Sequence, residues 1–163
     1  MAAAEITRKM IAYSKGNRHD INHFMKVYAF AKTIGECEGL DEAAQTILEI
    51  AAIVHDIACP LCREKYGSTN GKYQEQEGPA LVRDFLEDSG LSQDAVERSA
   101  WLVGHHHTLR GIDGPDYQIL IEADYLVNAD ESGYSSENVE NTLGKVFRTK
   151  TGISLLKTMY LEG

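Results

Sequence analysis

The feature that most constrains the fold is the stretch 47–57, ILEIAAIVHDI, which is apolar on nearly every side. Asp41 can cap a helix ahead of it, and Pro60 cannot continue a helical hydrogen-bond ladder, so we predict a helix from about Asp41 to Ala58. A helix that is apolar all round is found inside a protein rather than on its surface. We therefore expect this helix at the centre, with other helices packed around it.

The rest of the chain also shows helical patterns. Apolar residues recur every three to four positions between residues 20 and 37, where Asp20 is available as the N-cap. Similar patterns predict further helices at about 75–89, 92–106, 115–130, 136–148 and 151–160. The glycine-containing stretch 61–73 is predicted to be a mobile loop. Alternating patterns of strand length are absent, so the predicted fold class is all-α, with residues 1–163 as one compact domain.

Composition limits the class of protein. The 163 residues are 43% hydrophobic and 25% charged, which suits one globular domain with its own core. A net charge of −9 excludes a long nucleic acid as partner, because such binding depends on phosphate neutralisation. The chain has no apolar run of the roughly 20 residues that a membrane span needs, its first 15 residues carry charges and do not resemble a secretory leader, and it has only three cysteines. We expect a cytoplasmic protein without a membrane partner, and leave its oligomeric state open, a homodimer included.

Ionisable residues interrupt the apolar faces of three predicted helices. They are His23 on the first, His55 and Asp56 in the central stretch, and Asp124 near residue 120. Each alone could be an ordinary core residue, bonded to backbone or paired with an arginine. Burying three such insertions is costly unless they have partners, so we predict that they converge on one point. Two imidazoles and two carboxylates suit a divalent ion of manganese, iron, nickel, cobalt, zinc or magnesium.

Three motifs extend this pattern and resemble a known family. The segments HDINHFMKV (19–27), AAIVHDIA (51–58) and EADYLVN (122–128) are similar to the opening, central and closing motifs of the HD-domain superfamily of metal-dependent phosphohydrolases. The resemblance covers about residues 18–130, and the helices predicted over 136–160 would pack on this core.

The resemblance implies a function as well as a fold. It implies an all-helical domain and a phosphoric ester hydrolase that acts on a small phosphorylated substrate, in most relatives a nucleotide. The metal ligands that it implies are His23, His55, Asp56 and Asp124. Asp56 would also orient or deprotonate the attacking water. The alternative is a non-catalytic ligand-binding or regulatory HD module.

Two departures separate the chain from well-defined subgroups. Many small bacterial members have a further histidine in the segment that reads YQEQEGP (73–79) here, so one metal ion or two is left open. Subgroups of known substrate have acidic residues shortly after the HD pair, where this chain has Ala58, Cys59 and Pro60. We interpret Cys59 and Cys62 as incidental, because they are predicted to follow a helix C-terminus, whose dipole opposes a thiolate.

A histidine run and three cations complete the candidate residues. In GHHHT (104–108), we predict that His105 or His106 lies near the metal as an outer-shell group, phosphate donor or second-metal ligand. The alternative is that one of these histidines caps the helix and the others face solvent. Arg18, Lys26 and Arg63 are the predicted substrate-binding residues because they lie close in sequence to the presumed ligands, although each could be a solvated surface charge.

Overall fold

The computed structural model describes residues 3–162, and all regular secondary structure within them is helical. The all-α prediction is therefore confirmed. The nine helices of this described range are α1 Ala3–Tyr13, α2 Arg18–Glu38, α3 Glu42–Val54, α4 Cys59–Tyr66, α5 Gly71–Phe85, α6 Gln93–Val103, α7 Pro115–Glu131, α8 Ser136–Lys145 and α9 Lys150–Tyr160.

Helix α3 lies at the centre, as its apolar stretch predicts. The Asp41 side chain caps it by accepting a hydrogen bond from the backbone N–H of Ala44. Every residue from Leu48 to Val54 is buried, and helices α1, α2, α6 and α7 pack against α3. The two sides of α3 face two apolar clusters, one shared with α2, α7 and α9 and the other with α1, α5 and α6.

The central helix ends earlier than predicted. Helix α3 ends at Val54, residues 55–58 form a turn, and Pro60 lies in the first turn of α4. Proline is well suited to that position, because the N–H that it lacks has no partner in the first turn of a helix. The loop predicted over 61–73 is therefore wrong, since α4 covers its first half and only residues 67–70 connect α4 to α5.

A different residue from the predicted one caps α2. The Asn17 side chain accepts a hydrogen bond from the backbone N–H of Asp20, and the helix begins at Arg18. The Asp20 carboxylate instead accepts two hydrogen bonds of 2.7 Å from the guanidinium of Arg63 on α4. This ion pair joins the start of α2 to α4.

A buried carboxylate on α7 attaches the last helix of the fold. Glu122 is fully buried and accepts hydrogen bonds from the backbone N–H groups of Arg148 and Thr149 and from the Thr149 hydroxyl. These donors immediately precede α9, so one side chain of α7 holds the start of that helix. Gly152 leaves room for the contact, because a Cβ at this position would overlap the Glu122 carboxylate.

One stretch of the described residues is long and apolar enough to cross a membrane by length and composition. It is Glu42–Tyr66, and 67% of its most apolar window is buried inside the protein. The turn at 55–58 interrupts it. The core helix of a soluble protein passes the same test, so this stretch is weak support for a membrane span.

Candidate metal centre

The four predicted metal ligands come together at one point. His23 on α2 has its Nε2 3.1 Å from His55 Nε2, 3.2 Å from Asp56 Oδ2 and 3.2 Å from Asp124 Oδ1. The Nε2 of His55 lies 3.4 Å from each of the same two carboxylate oxygens. Two nitrogens and two oxygens, from α2, α7 and the turn after α3, thus form one compact group.

The two imidazole nitrogens are spaced from each other and from both carboxylates as ligands of a single ion would be. With metal–ligand bonds of about 2.1 Å, two ligands at a right angle lie about 3.0 Å apart, and two at the tetrahedral angle lie about 3.4 Å apart. The five separations given above, 3.1 to 3.4 Å, lie within this range. His23, His55 and Asp56 by themselves form a group whose ligand atoms all lie within 4.8 Å of one another, and Asp124 adjoins both of its imidazoles.

The second ring nitrogen of each histidine is engaged with an acceptor. His23 Nδ1 lies 2.9 Å from Glu131 Oε2, and His55 Nδ1 lies 2.7 Å from the carbonyl oxygen of Ala52. Both acceptors require an N–H at Nδ1, so the lone pair of the neutral ring is on Nε2, which faces the centre. A carboxylate or carbonyl behind a metal-bound histidine fixes its tautomer and orientation in this way.

The turn after α3 explains how two consecutive residues reach the same point. In a continuous helix, neighbouring side chains point about 100° apart. Here α3 ends at Val54 and the chain turns before α4 begins at Cys59. The fully buried His55 and the partly exposed Asp56 therefore face the centre together.

The charges at the centre favour a cation. Burial opposes a charged imidazole, but the adjacent carboxylates of Asp124 and Asp56 outweigh it and raise the pKa of His23 to about 11. Burial also opposes ionisation of the two carboxyl groups, yet the neighbouring imidazoles hold the pKa of both below its usual value. Two carboxylates thus share a small buried volume, which attracts a positive charge, either a proton or a metal ion.

Two buried polar atoms at the centre have no hydrogen-bond partner within residues 3–162. They are Asp124 Oδ1 and His106 Nε2. Leaving such an atom unpaired costs about 1–3 kcal/mol, and coordination to an ion would remove that cost. The donor set fits an ion that accepts both nitrogen and oxygen, such as manganese, iron, cobalt, nickel or zinc, better than magnesium, which prefers oxygen alone.

A second group of potential ligands adjoins the first through Asp56. The carboxylate and the rings of His106 and His107 offer ligand atoms within 4.8 Å of one another, and Asp56 Oδ1 lies 3.6 Å from His106 Nε2. His106 Nδ1 lies 2.7 Å from the Val103 carbonyl oxygen, so the lone pair of its neutral ring is on the side of Asp56. His107 Nε2 lies 3.1 Å from Gln74 Oε1, a contact that holds its ring against α5.

The structure brings His106 to the centre but not His105. Helix α6 ends at Val103, three residues before the predicted end, and the His105 ring stacks on Trp101 with centroids 3.9 Å apart. The His105 Nδ1 lies 2.7 Å from the carbonyl oxygen of Trp101, so this ring belongs to the packing of α6. Of the two histidines predicted to lie near the metal or to act in catalysis, the structure thus places His106 at the centre and His105 away from it, and His107 is the second histidine beside Asp56.

Three of the four predicted ligands, His23, Asp56 and Asp124, line a cavity of about 180 Å³ that opens to solvent, whereas the fully buried His55 does not. The other residues of its wall are His19, Asp20, Cys59, Arg63, Thr69, Gln74, His107, Asn128 and Glu131. Of the three predicted substrate-binding cations, the structure brings only Arg63 to this cavity. Lys26 lies instead in a groove with Phe30 and Tyr160, and Arg18 is the exposed first residue of α2.

Comparison with known proteins identifies the family. A family model of the HD domain matches residues 20–131, which is more than half of the chain. The chain belongs to the HD-domain family. A solved structure described as a predicted HD superfamily hydrolase, from an uncultured Thermotogales bacterium, has a TM-score of 0.69 and 21% identity, and the match covers 95% of this chain and 83% of that one. At this identity the likeness concerns the fold. No curated protein gives a significant match.

Two residues at the site of this HD domain, Glu131 and Gln74, are not singled out by the sequence patterns, and His107 enters them only as a member of the GHHHT run. Glu131 lies seven residues after Asp124, two turns along the same face of α7, so helical periodicity could have pointed to it. No sequence pattern indicates Gln74, because its position at the cavity depends on the conformation of the connection at 67–70, which precedes α5.

The two cysteines of the HD domain's CPLC segment are buried and free. Cys59 begins α4 and lines the cavity, so the expectation that it follows a helix C-terminus is wrong. Burial nevertheless raises the pKa of the Cys59 thiol, and the charge of Asp56 raises it further. The thiol therefore stays protonated, which does not favour a redox or nucleophilic role.

Proposed function

We propose that this HD domain is a metal-dependent phosphohydrolase that cleaves a small phosphate ester, with a nucleotide as its substrate. The observation that carries the proposal is that the nitrogens of His23 and His55 lie 3.1 to 3.4 Å from each other and from the carboxylates of Asp56 and Asp124, beside a solvent-open cavity. A metal site with protein ligands on one side and room for water on the other is typical of hydrolytic sites. The guanidinium of Arg63 in the same cavity suits an anionic substrate.

His23, His55, Asp56 and Asp124 would hold the ion. A divalent ion bound there would lower the pKa of a water molecule and stabilise charge on the phosphoryl oxygens. The two oxygens of Asp56 have different surroundings, since Oδ2 lies in the ligand group and Oδ1 faces His106. Asp56 Oδ1 is thus free to orient the attacking water and to accept its proton.

His106 accepts that proton next. Its Nδ1–H is held by the Val103 carbonyl, and its Nε2 lies 3.6 Å from Asp56 Oδ1 without another partner in the described chain. A neutral imidazole in this orientation can take a proton on Nε2 and donate it to the oxygen of the leaving group. Burial of His106 keeps bulk water from competing for the transfer.

Arg63 binds the phosphate at the cavity wall. Two of its N–H groups donate to Asp20, and its side chain is 43% exposed. A guanidinium has five N–H donors, so the remaining ones can reach a phosphoryl oxygen while the ion pair keeps the side chain in place. Asp20 is then a positioning residue for Arg63.

A non-catalytic ligand-binding module is the second candidate. It is favoured by the Asp20–Arg63 pair, which partly neutralises the cation that a phosphate would use. It is also favoured by Gln74, which belongs to the segment in which many relatives have a further histidine. Such a module would bind metal and nucleotide and release the nucleotide unchanged.

Phosphate release from nucleoside monophosphates and sugar phosphates, with added manganese, cobalt or nickel, tests the proposal. Asp56→Asn keeps the side-chain shape and removes its charge, so we expect kcat to fall at least about 100-fold. Asp84→Asn, an exposed position on α5 outside the cavity, is the matched control and should keep full activity. Wild-type turnover in Asp56→Asn would remove Asp56 from the chemistry, and nucleotide binding without any phosphate release would support the second candidate.

A further inference from the structure

A second cavity adjoins the metal centre between α7, α8 and the segment after α6. Its volume is about 290 Å³, close to the lower end of the range for small-molecule sites, which begins at about 300 Å³. It shares His107, Asp124 and Asn128 with the metal cavity, so the two cavities are neighbours on either side of these residues. We propose that this second cavity, here called the ring pocket, binds the base of a nucleotide whose phosphate lies at the metal centre; the inference rests on the proposed function.

The apolar walls of the ring pocket suit a planar ring. Tyr125 and Tyr134 lie with centroids 5.6 Å apart at an interplanar angle of 39°, and Leu109 lies in the wall of the same pocket. Tyr134 is 39% exposed and Leu109 is 56% exposed, which makes them two of the five exposed large hydrophobic residues in the described chain. Stacking of a base on an aromatic side chain would cover this surface.

Uncharged polar groups in the ring pocket can recognise the edge of a base. The Tyr125 hydroxyl donates to Asn138 Oδ1 at 2.5 Å, which orients the Asn138 amide and leaves its two N–H donors without a partner in the described chain. The Asn128 side chain, at the boundary with the metal cavity, also has no described hydrogen bond. Amide donors and acceptors of this kind pair with ring nitrogens, carbonyl oxygens and sugar hydroxyls.

The charge of the ring pocket sets it apart from the other groove beside the metal centre. Its described wall contains no lysine or arginine, and its one carboxylate is Asp124, whose Oδ1 belongs to the ligand group. The other groove contains Lys15 and Glu64, and it meets the metal cavity only at the ion pair of Asp20 and Arg63. An uncharged ring therefore fits the ring pocket better, because it need not displace a paired charge.

Tyr134→Ala tests the ring pocket, with Tyr134→Phe and Leu61→Ala as matched controls. Tyr134 is on the surface and Leu61 lies in the other groove, so all three proteins should fold. The readout is the ratio of kcat/KM for adenosine 5′-monophosphate to kcat/KM for ribose 5-phosphate, which has no base. We expect Tyr134→Ala to lower this ratio about tenfold and the two controls to leave it unchanged. An unchanged ratio in Tyr134→Ala, or an equal fall in Leu61→Ala, would overturn the proposal.

Calorimetric titration of the manganese-loaded protein with adenosine 5′-monophosphate separates this inference from the proposed function. If no phosphate ester is hydrolysed but Tyr134→Ala weakens nucleotide binding about tenfold, the phosphohydrolase proposal fails and the ring pocket stands. If phosphate esters are hydrolysed while Tyr134→Ala binds the nucleotide as tightly as wild type, the ring pocket fails and the phosphohydrolase stands.

Discussion

Glu131 lines the cavity and contacts the predicted ligands through His23, so its replacement tests how the position of this ligand affects metal binding. Its Oε2 accepts a 2.9 Å hydrogen bond from His23 Nδ1, and the two side chains are only 16% and 8% exposed. A hydrogen bond from an imidazole to a carboxylate in such a place is charge-assisted, and therefore about twice as strong as a neutral one. Little of it is lost to solvent screening.

Two substitutions of Glu131 should weaken metal binding to different degrees. Glu131→Gln keeps an acceptor oxygen and removes the charge, which should cost on the order of 1 kcal/mol, or about fivefold in metal affinity. Glu131→Ala also removes the acceptor, so the His23 ring loses the partner that fixes its tautomer. Loss of such an outer partner typically lowers metal affinity about 10–100-fold, or about 1.4–2.7 kcal/mol.

Competition with a chromophoric chelator measures these dissociation constants for manganese and zinc. Glu140→Ala, an exposed change on α8, is the matched control and should bind both ions as wild type does. Circular dichroism of the metal-free variants verifies that each is folded. Equal affinities of wild type and Glu131→Ala would refute the reasoning, since packing alone would then be sufficient to orient His23.

His106→Ala should lower phosphate release at least about 100-fold, whereas His105→Ala, which loses a ring stack and a hydrogen bond to Trp101 away from the centre, should keep kcat; equal kcat values in the two variants would contradict the proton transfer assigned to His106. Removal of metal with a chelator should lower the unfolding temperature, because an ion at 100 times its dissociation constant stabilises the folded state by about 2.7 kcal/mol, and scanning calorimetry measures the difference. Gly152→Ala should destabilise the protein by about 1–3 kcal/mol, because the added Cβ overlaps the Glu122 carboxylate. Gly144→Ala, which has open space around it, should stabilise α8 by up to about 1 kcal/mol. Urea unfolding measures the free energy of unfolding of both variants, and a Gly152→Ala protein more stable than Gly144→Ala would contradict the reasoning.

The sequence predicts seven of the nine helices of the described range, and the meeting of His23, His55, Asp56 and Asp124, because both leave a periodic pattern in it; it does not predict α1, and it predicts a loop where α4 lies. Asp41 and the apolar run after it are adjacent in the chain, so local rules identify the central helix. His23, His55 and Asp124 are far apart in sequence, but each interrupts an apolar face. Buried ionisable groups need partners, and no other partner is evident in the sequence for these three residues, so they are expected to contact one another.

Other features depend on tertiary packing and could not be predicted from local patterns. Pro60 is compatible with ending one helix or beginning the next, and the turn before it is fixed by where His55 packs. Lys26 is three residues from His23, yet it lies in a separate groove, while Arg63 comes to the cavity from another helix. The choice between His105 and its neighbour depends on the residue at which α6 ends, and helix ends are the least certain part of a sequence-based assignment.

The early end of α3 bears on which changes in chain length this protein can tolerate. Deleting or inserting one residue between Asp41 and Val54 would rotate His55 by about 100° relative to the core and shift it by about 1.5 Å along the axis. Both ligands in the turn would then leave the coordination group. The connection at 67–70 is less constrained, because it carries none of the four predicted ligands, its residues are mostly exposed, and Thr69 is its one residue in the cavity wall. Insertions should therefore be accepted there, and the length of α3 is as much a part of the metal centre as the side chains that surround it.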